Sequence, residues 1–102
     1  MMKIRKGTST LVTVQLLDEE SKEPLDLSNA TQIELRLIDP ETRTEVKTLV
    51  CSIINATEGI IAFEPEEINI GIYQRKFIIT YMDGSVLVLP NTNREWIMVW
   101  DV

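Results

Sequence analysis

Alternation of apolar and polar residues constrains the fold of this 102-residue chain more than any other feature. In residues 32–38, QIELRLI, every second residue is aliphatic, so one face of an extended strand is apolar and the other is polar. Residues 72–82 alternate over a longer distance, and Arg75 is the charged residue on their apolar face. We expect Arg75 to lie near a strand end, with its stem packed and its guanidinium group in water.

About seven segments carry this strand pattern, and turn signals separate them. Asp83-Gly84 joins two apolar runs as a hairpin turn, because glycine adopts a positive φ without a Cβ clash. No long stretch holds a 3.6-residue apolar period, so we expect no helix. The predicted strands are residues 10–17, 32–38, 45–54, 60–63, 72–82, 85–89 and 95–102. Such spacing is typical of an all-β antiparallel sandwich.

The length of the chain fits a single domain. Residues 1–8 are predicted to form a basic N-terminal arm, and residues 9–102 to form the β-sandwich. The single cysteine, Cys51, excludes an intrachain disulfide, and its place in the apolar run LVCSII predicts a buried, inert thiol. A fold that holds by packing alone suits assembly in a reducing cytoplasm.

Charge and hydropathy narrow the class of partner. The net charge of −6 and the pI of about 4.6 disfavour nucleic acid, which is bound by a basic face. No apolar run approaches the roughly 20 residues that span a membrane. The N-terminus also lacks the apolar core of a secretory signal. We therefore expect neither nucleic acid nor a membrane as a partner.

The residue types that carry most enzyme chemistry are scarce in this sequence. It has no histidine, one cysteine and no glycine-rich phosphate loop. Carboxylates cluster in the turns at residues 18–23 and 64–67, where a paired-carboxylate hydrolase or a weak calcium site is the alternative to solvated loop charge. We expect no enzyme activity, no catalytic residue, no metal site and no cofactor.

The C-terminal segment EWIMVWDV, residues 95–102, is apolar on both faces of a strand. One face carries two tryptophans and a methionine, and the other carries Ile97 and Val99. Such a strand either lies inside its own domain or offers a face to a partner, since Trp and Met are enriched at interface cores. The basic arm is a second docking element, suited to an acidic neighbour. The candidate partner-interface residues are Trp96, Met98, Trp100, Lys3, Arg5 and Lys6.

Two stretches of the chain resemble a known family. They are DLSNATQIELRLIDPETRTEV and TEGIIAFEPEEINIGIYQRKFIITYMDGSVLVLPN. Together they resemble the immunoglobulin-like N-terminal domain of phage baseplate upper proteins, over roughly three-quarters of the chain. The residues that carry the resemblance are 26–31, Gly59, Phe63, Gly71, Tyr73, Phe77, Tyr81, Asp83, Gly84, Pro90 and Asn91.

The resemblance implies an immunoglobulin-like β-sandwich and a structural role in a bacteriophage virion, as an adaptor or anchoring subunit of the tail or baseplate. It implies other virion proteins as partners, a homo-oligomer or multi-copy assembly, and synthesis in the bacterial host cytoplasm. Baseplate upper proteins normally continue into long C-terminal regions, whereas this sequence ends at Val102. The expectation is therefore a domain used alone, and a capsid-decoration or neck subunit is an alternative.

A stand-alone module that binds carbohydrate or a host surface is another alternative. Such a module needs exposed aromatic side chains near its loops. The tyrosines and tryptophans of this chain, Tyr73, Tyr81, Trp96 and Trp100, all fall within predicted strands.

Overall fold

β-Strands in two sheets make up the architecture of the computed structural model, which describes residues 2–5, 11–65, 68–89 and 95–100. These residues form β1 (Met2–Arg5), β2 (Val12–Gln15), β3 (Ala30–Ile38), β4 (Glu45–Val50), β5 (Ser52–Asn55), β6 (Ile60–Phe63), β7 (Gly71–Tyr81), β8 (Val86–Leu89) and β9 (Glu95–Trp100). The predicted all-β sandwich is confirmed, and its architecture is consistent with the immunoglobulin-like class. Within the described residues no helix is long and apolar enough to cross a membrane.

The larger sheet has six strands and is built around β7. Its order is β1-β9-β7-β3-β4, and β8 also pairs with β7. β3 follows one edge of β7 along almost its whole length. The other edge of β7 is shared, because β9 pairs with Gly71–Arg75 and β8 pairs with Phe77–Thr80. The long alternating segment of the sequence is therefore the central strand of this sheet.

The smaller sheet has the order β2-β6-β5. The sequence predicts one long strand over residues 45–54, but the structure divides this segment between the two sheets. The backbone N–H of Cys51 donates to the carbonyl of Ile33 at 2.8 Å, which continues the β3–β4 register. The next residue, Ser52, already pairs with Ala62 in the other sheet. Cys51 is thus the crossing point, and partners distant in sequence, not the local pattern, determine where β4 ends.

The core lies between the two sheets and contains the face predicted from QIELRLI. Ile33, Leu35 and Leu37 are all at most 1% exposed. They belong to a single buried cluster with Phe77 of β7 and Ile61 of β6. Each such side chain contributes roughly 1.5–3 kcal/mol through removal of apolar surface from water. Packing of aliphatic side chains therefore holds the two sheets together.

The N-terminal segment joins the larger sheet as β1, which runs parallel to β9. Ile4 is 4% exposed and belongs to the same buried cluster, which accounts for the attachment. These residues fall within the predicted arm, residues 1–8, and the rest of that arm lies outside the described part of the chain.

The hairpin expected at Asp83-Gly84 joins β7 to β8. Gly84 has φ +88°, and its N–H donates to the carbonyl of Tyr81 at 2.9 Å. The N–H of Ser85 donates to Oδ1 of Asp83 at 2.9 Å. The loop thus has three residues, with the glycine in the left-handed region as a bulged hairpin requires.

Candidate partner interface

The structure brings together candidate residues from opposite ends of the chain. β1 and β9 pair in parallel, so that Lys3 lies opposite Met98 and Arg5 lies opposite Trp100. Side chains alternate between the two faces of a strand, and residues opposite one another in register share a face. The basic residues of the arm and the apolar residues of the C-terminal segment therefore meet at one edge of the larger sheet.

The two apolar faces of β9 have different surroundings. Ile97 and Val99 are 0% and 1% exposed and belong to the domain's own core. Met98 points away from them and is half-buried, while Lys3 beside it is exposed. The outer face of β9 is therefore the face that remains available to a partner.

Two further residues of this outer face lie on β7, and neither was predicted from the sequence as an interface residue. Ile72 lies opposite Met98 and is 48% exposed, so Lys3, Met98 and Ile72 form a row across three strands. Gln74 lies opposite Trp96 and is 9% exposed. In the sequence, the only indication that Ile72 belongs to this row is that it is an apolar residue on the more polar face of the long strand. Its place beside Met98 follows from strand pairing and is not encoded locally.

The structure describes only the backbone positions of the two tryptophans. The side chains of Trp96 and Trp100 lie outside the described part of the molecule, as does the whole of Lys6. Their roles at the interface remain predictions.

Carboxylates at turns close those turns by hydrogen bonding. Oδ1 of Asp18 accepts the N–H groups of Glu20 and Ser21 at 2.9 and 3.0 Å, and these hydrogen bonds, with that of Ser21 the stronger influence, lower the pKa of Asp18. The hydroxyl and N–H of Ser28 both donate to Asp26, which lowers the pKa of that carboxyl. Among the described residues, no three carboxylate or thiol groups are placed to hold a metal ion.

Arg75 lies in the interior of β7, so the expectation that it is near a strand end is wrong. It is at the point where β9 stops pairing with β7, opposite Glu95. Its guanidinium carbon is 5.3 Å from the centroid of the Phe77 ring, which gives its charge a favourable contact with the aromatic face. An open cleft of about 280 Å³ lies alongside, lined by Leu16, Glu19 and Phe77 among others.

Cys51 is buried, as the sequence predicts. Burial raises the pKa of its thiol to about 11, so the thiol is protonated at neutral pH. A protonated, buried thiol is a poor nucleophile and metal ligand.

Comparison with known proteins shows the fold of the chain. No family model and no curated protein matches it. Among solved structures, the N-terminal domain of phage TP901-1 ORF48 matches with a TM-score of 0.62 and 14% sequence identity, over 97% of this chain and 83% of that one. The chain shares its fold with a domain of a phage protein. At this identity the likeness concerns the fold alone.

Proposed function

We propose that this protein is a non-enzymatic structural subunit of a bacteriophage virion, which acts as an immunoglobulin-like adaptor or anchor in the tail or baseplate. The observation that carries the proposal is the fold likeness to the N-terminal domain of phage TP901-1 ORF48 over nearly the whole chain. The sequence resemblance to the N-terminal domain of baseplate upper proteins supports the same role. A fold does not determine a function, so the proposed structural role has to be tested on phage particles.

In this proposal the protein docks through the outer face of β1 and β9. Met98 and Ile72 supply an apolar centre, and the exposed Lys3 and Arg5 supply positive charge at the sheet edge. Because the whole chain carries a net charge of −6, this basic edge is a local feature that favours an acidic surface on a neighbouring virion protein. Trp96 and Trp100 are proposed to enlarge the apolar centre, since aromatic residues are enriched there.

The partners are other virion proteins, and the subunit is present in several copies per particle. It is made in the cytoplasm of the bacterial host and then incorporated into the virion. We propose no role for nucleic acid, a membrane or a cofactor in this attachment.

Immunogold electron microscopy of phage particles, with antibody raised against the purified domain, tests the location. We expect label at one position on the tail, near its tip for a baseplate subunit. Label on the head or neck would instead assign a decoration or neck subunit. Unlabelled particles with free antigen in the lysate would refute the virion role and favour a stand-alone module that binds carbohydrate or a host surface.

A further inference from the structure

β2 is an edge strand of the smaller sheet and has no charged residue. It pairs with β6 on one side, and within the part of the chain that the structure describes no strand pairs with its other side. Thr13 and Gln15 are exposed, whereas Val12 and Val14 are half-buried. Charges or irregular pairing on an edge strand discourage the addition of another strand. β2 has neither feature, because its pairing with β6 is regular over all four residues.

Most other edges of the described chain are protected against strand addition. β1 exposes two basic residues, and β4 exposes Glu45 and Lys47. β5 has no charged residue, but a register shift between Ile53 and Asn55 interrupts its pairing with β6. β8 pairs only with β7 in the described structure, and its residues are also uncharged. The regular, uncharged edges are therefore β2 and β8, one in each sheet.

The open cleft of about 280 Å³ beside Arg75 lies between these two edges. It is lined by the four consecutive residues 14–17 on the side of β2, but by Leu89 alone from β8. The cleft therefore runs along β2. Its opposite wall includes Phe77, so the cleft leads to the hydrophobic core. A strand added to β2 would direct the side chain opposite Val14 into this cleft, because residues opposite one another share a face.

The backbone of β2 offers hydrogen-bonding groups to such a strand. In an antiparallel ladder, the N–H and C=O groups of successive residues point alternately to the two sides of the strand. The N–H of Leu16 donates to the carbonyl of Gly59 at 2.8 Å, on the side of β6. Val14 consequently also points to β6. Thr13 and Gln15 direct their N–H and C=O groups to the open edge, where an added strand can bind them.

The loop after β2 determines which charge the added strand should carry. Its residues 18–23, DEESKE, have four carboxylates and one ammonium group. One of the carboxylates belongs to Glu19, which lines the cleft. In an antiparallel pairing the N-terminal end of the added strand lies beside the C-terminal end of β2, and therefore beside this loop. A basic residue at that end complements the excess of negative charge.

We propose that β2 accepts a strand of a neighbouring protein, which pairs antiparallel with it and inserts an aliphatic side chain into the cleft opposite Val14. The partner is an extended segment that begins with a basic residue and then alternates uncharged polar and aliphatic residues. Main-chain hydrogen bonds supply affinity in such strand additions, and pockets for alternate side chains supply specificity. The inference deepens the proposed function, on which it rests for the identity of the neighbour as a virion protein.

Titration of the ¹⁵N-labelled, purified full chain with the peptide acetyl-KTVTVT-amide tests the proposal. In the proposed pairing its first valine faces Val14, its first two threonines face Gln15 and Thr13, and its lysine lies beside residues 18–23. We expect a Kd on the order of 10⁻⁴ M, because the interface is small. The backbone amide resonances of Thr13 and Gln15 should shift most, since their N–H groups form the new hydrogen bonds.

Two matched peptides separate the contributions of the cleft and of the charged loop. The peptide acetyl-KTSTST-amide has the same length and charge but leaves the cleft unfilled, so it should bind at least about tenfold more weakly. The peptide acetyl-ETVTVT-amide places a carboxylate beside residues 18–23 and should also bind more weakly. Only this second difference should fade in high salt, because salt screens exposed charges.

Two variants at Thr13 test the hydrogen bonding of β2. Thr13→Pro removes the outward N–H and leaves the hydrogen bonds to β6 in place, since the N–H of Thr13 does not point to β6. It should weaken binding of acetyl-KTVTVT-amide at least about tenfold. Thr13→Ala keeps the N–H and is the matched control, so its Kd should stay within about twofold of the wild-type value. Unchanged amide resonances of Ile61 and Ala62 would show that β6 still pairs with β2 in both variants.

A wild-type chain that does not bind acetyl-KTVTVT-amide up to about 5 mM would overturn the proposal. Shifts centred on β8, or binding that Thr13→Pro leaves unchanged, would overturn it as well. So would slow hydrogen exchange of the Thr13 and Gln15 amides in the free chain, because the chain itself would then occupy this edge. These measurements use purified protein, so they can fail while particles still carry label, and they can succeed when particles carry none.

Discussion

At the scale of single residues, two glycines with positive φ differ in what surrounds them. Gly59 has φ +67°, and an added Cβ would lie 2.6 and 2.7 Å from the carbonyl oxygens of Leu25 and Leu16. Gly84 has φ +88°, and an added Cβ would meet no atom within 4 Å. Any side chain at Gly84 therefore carries only the conformational cost of the left-handed region. A side chain at Gly59 carries the same cost and also collides with two backbone groups.

We predict that Gly84→Ala lowers the free energy of unfolding by about 1–2 kcal/mol, and that Gly59→Ala lowers it by more than about 3 kcal/mol. Urea unfolding of the two variants and the wild-type chain measures both values. Equal losses would mean that the Leu16 and Leu25 backbone moves aside without cost.

The thiol of Cys51 makes stability depend on pH in alkaline solution. Burial raises its pKa from 9.0 to about 11, so the folded chain holds this proton more tightly than the unfolded chain. The stability that this tighter proton binding contributes is fully present below pH 9 and is lost as the pH rises through 11.

We expect the stability advantage of wild type over Cys51→Ala to be constant from pH 7 to pH 9 and to shrink between pH 9 and pH 11. Urea unfolding of both proteins across this range measures the difference, and other titrating groups cancel in it. An advantage that stays constant to pH 11 would show that the thiolate is tolerated in the fold.

At the scale of secondary-structure elements, local pattern predicts some strands closely. β6 has the predicted bounds, and β3 and β7 differ from prediction by one or two residues at their ends. In β3 the apolar residues alternate because one face of the strand is buried, whereas β6 is a short, continuous apolar run that is buried on both faces. β1 was not predicted, because Ile4 is its only described core residue and its partner β9 lies at the far end of the sequence.

The row formed by Lys3, Met98 and Ile72 leads to a prediction about attachment. We expect Lys3→Glu to reduce incorporation of the protein into particles about tenfold, because it places negative charge against an acidic neighbour. Complementation of a gene-deleted phage, followed by quantification of the protein per particle, measures this. Lys76→Glu is the control, since Lys76 is exposed on β7 of the same sheet. Equal effects of the two variants would argue against docking through β1 and β9.

At the scale of the whole molecule, several turns depend on ionised aspartates. Hydrogen bonds from Ser28 lower the pKa of Asp26, and hydrogen bonds from Ser85 lower the pKa of Asp83. The usual pKa of both carboxyl groups is 3.8. Hydrogen bonds from Ser21 and Glu20 lower the pKa of Asp18. A lowered pKa in the folded state contributes stability that is present above the usual pKa and is lost as the pH falls through the folded value.

We therefore predict that the thermal unfolding midpoint of the wild-type chain is constant around neutral pH. It should decrease when the pH is lowered below about 4. The double variant Asp26→Asn, Asp83→Asn should have a lower unfolding midpoint than wild type at pH 7. This difference in midpoint should narrow below pH 3.8. Thermal unfolding followed by circular dichroism measures both proteins. A difference that is independent of pH would show that these carboxylates contribute nothing through their ionisation.

The candidate interface residues remain predictions from the sequence, and their placement beside one another was not predicted. Lys3, Arg5 and Met98 stand out in the sequence as basic or apolar residues without an obvious core role. Their adjacency depends on parallel pairing of the first and last strands, which no local pattern encodes. Function is harder still to predict, because the role of a docking surface depends on a partner whose identity the chain does not contain.

Quantitative mass spectrometry of gradient-purified virions tests the proposal that this chain is a structural subunit of a phage particle. We predict that its peptides are present at a fixed, multi-copy ratio to the tail proteins and persist through a high-salt wash. Absence from purified virions, with the protein abundant in the soluble lysate, would refute a structural role in the virion.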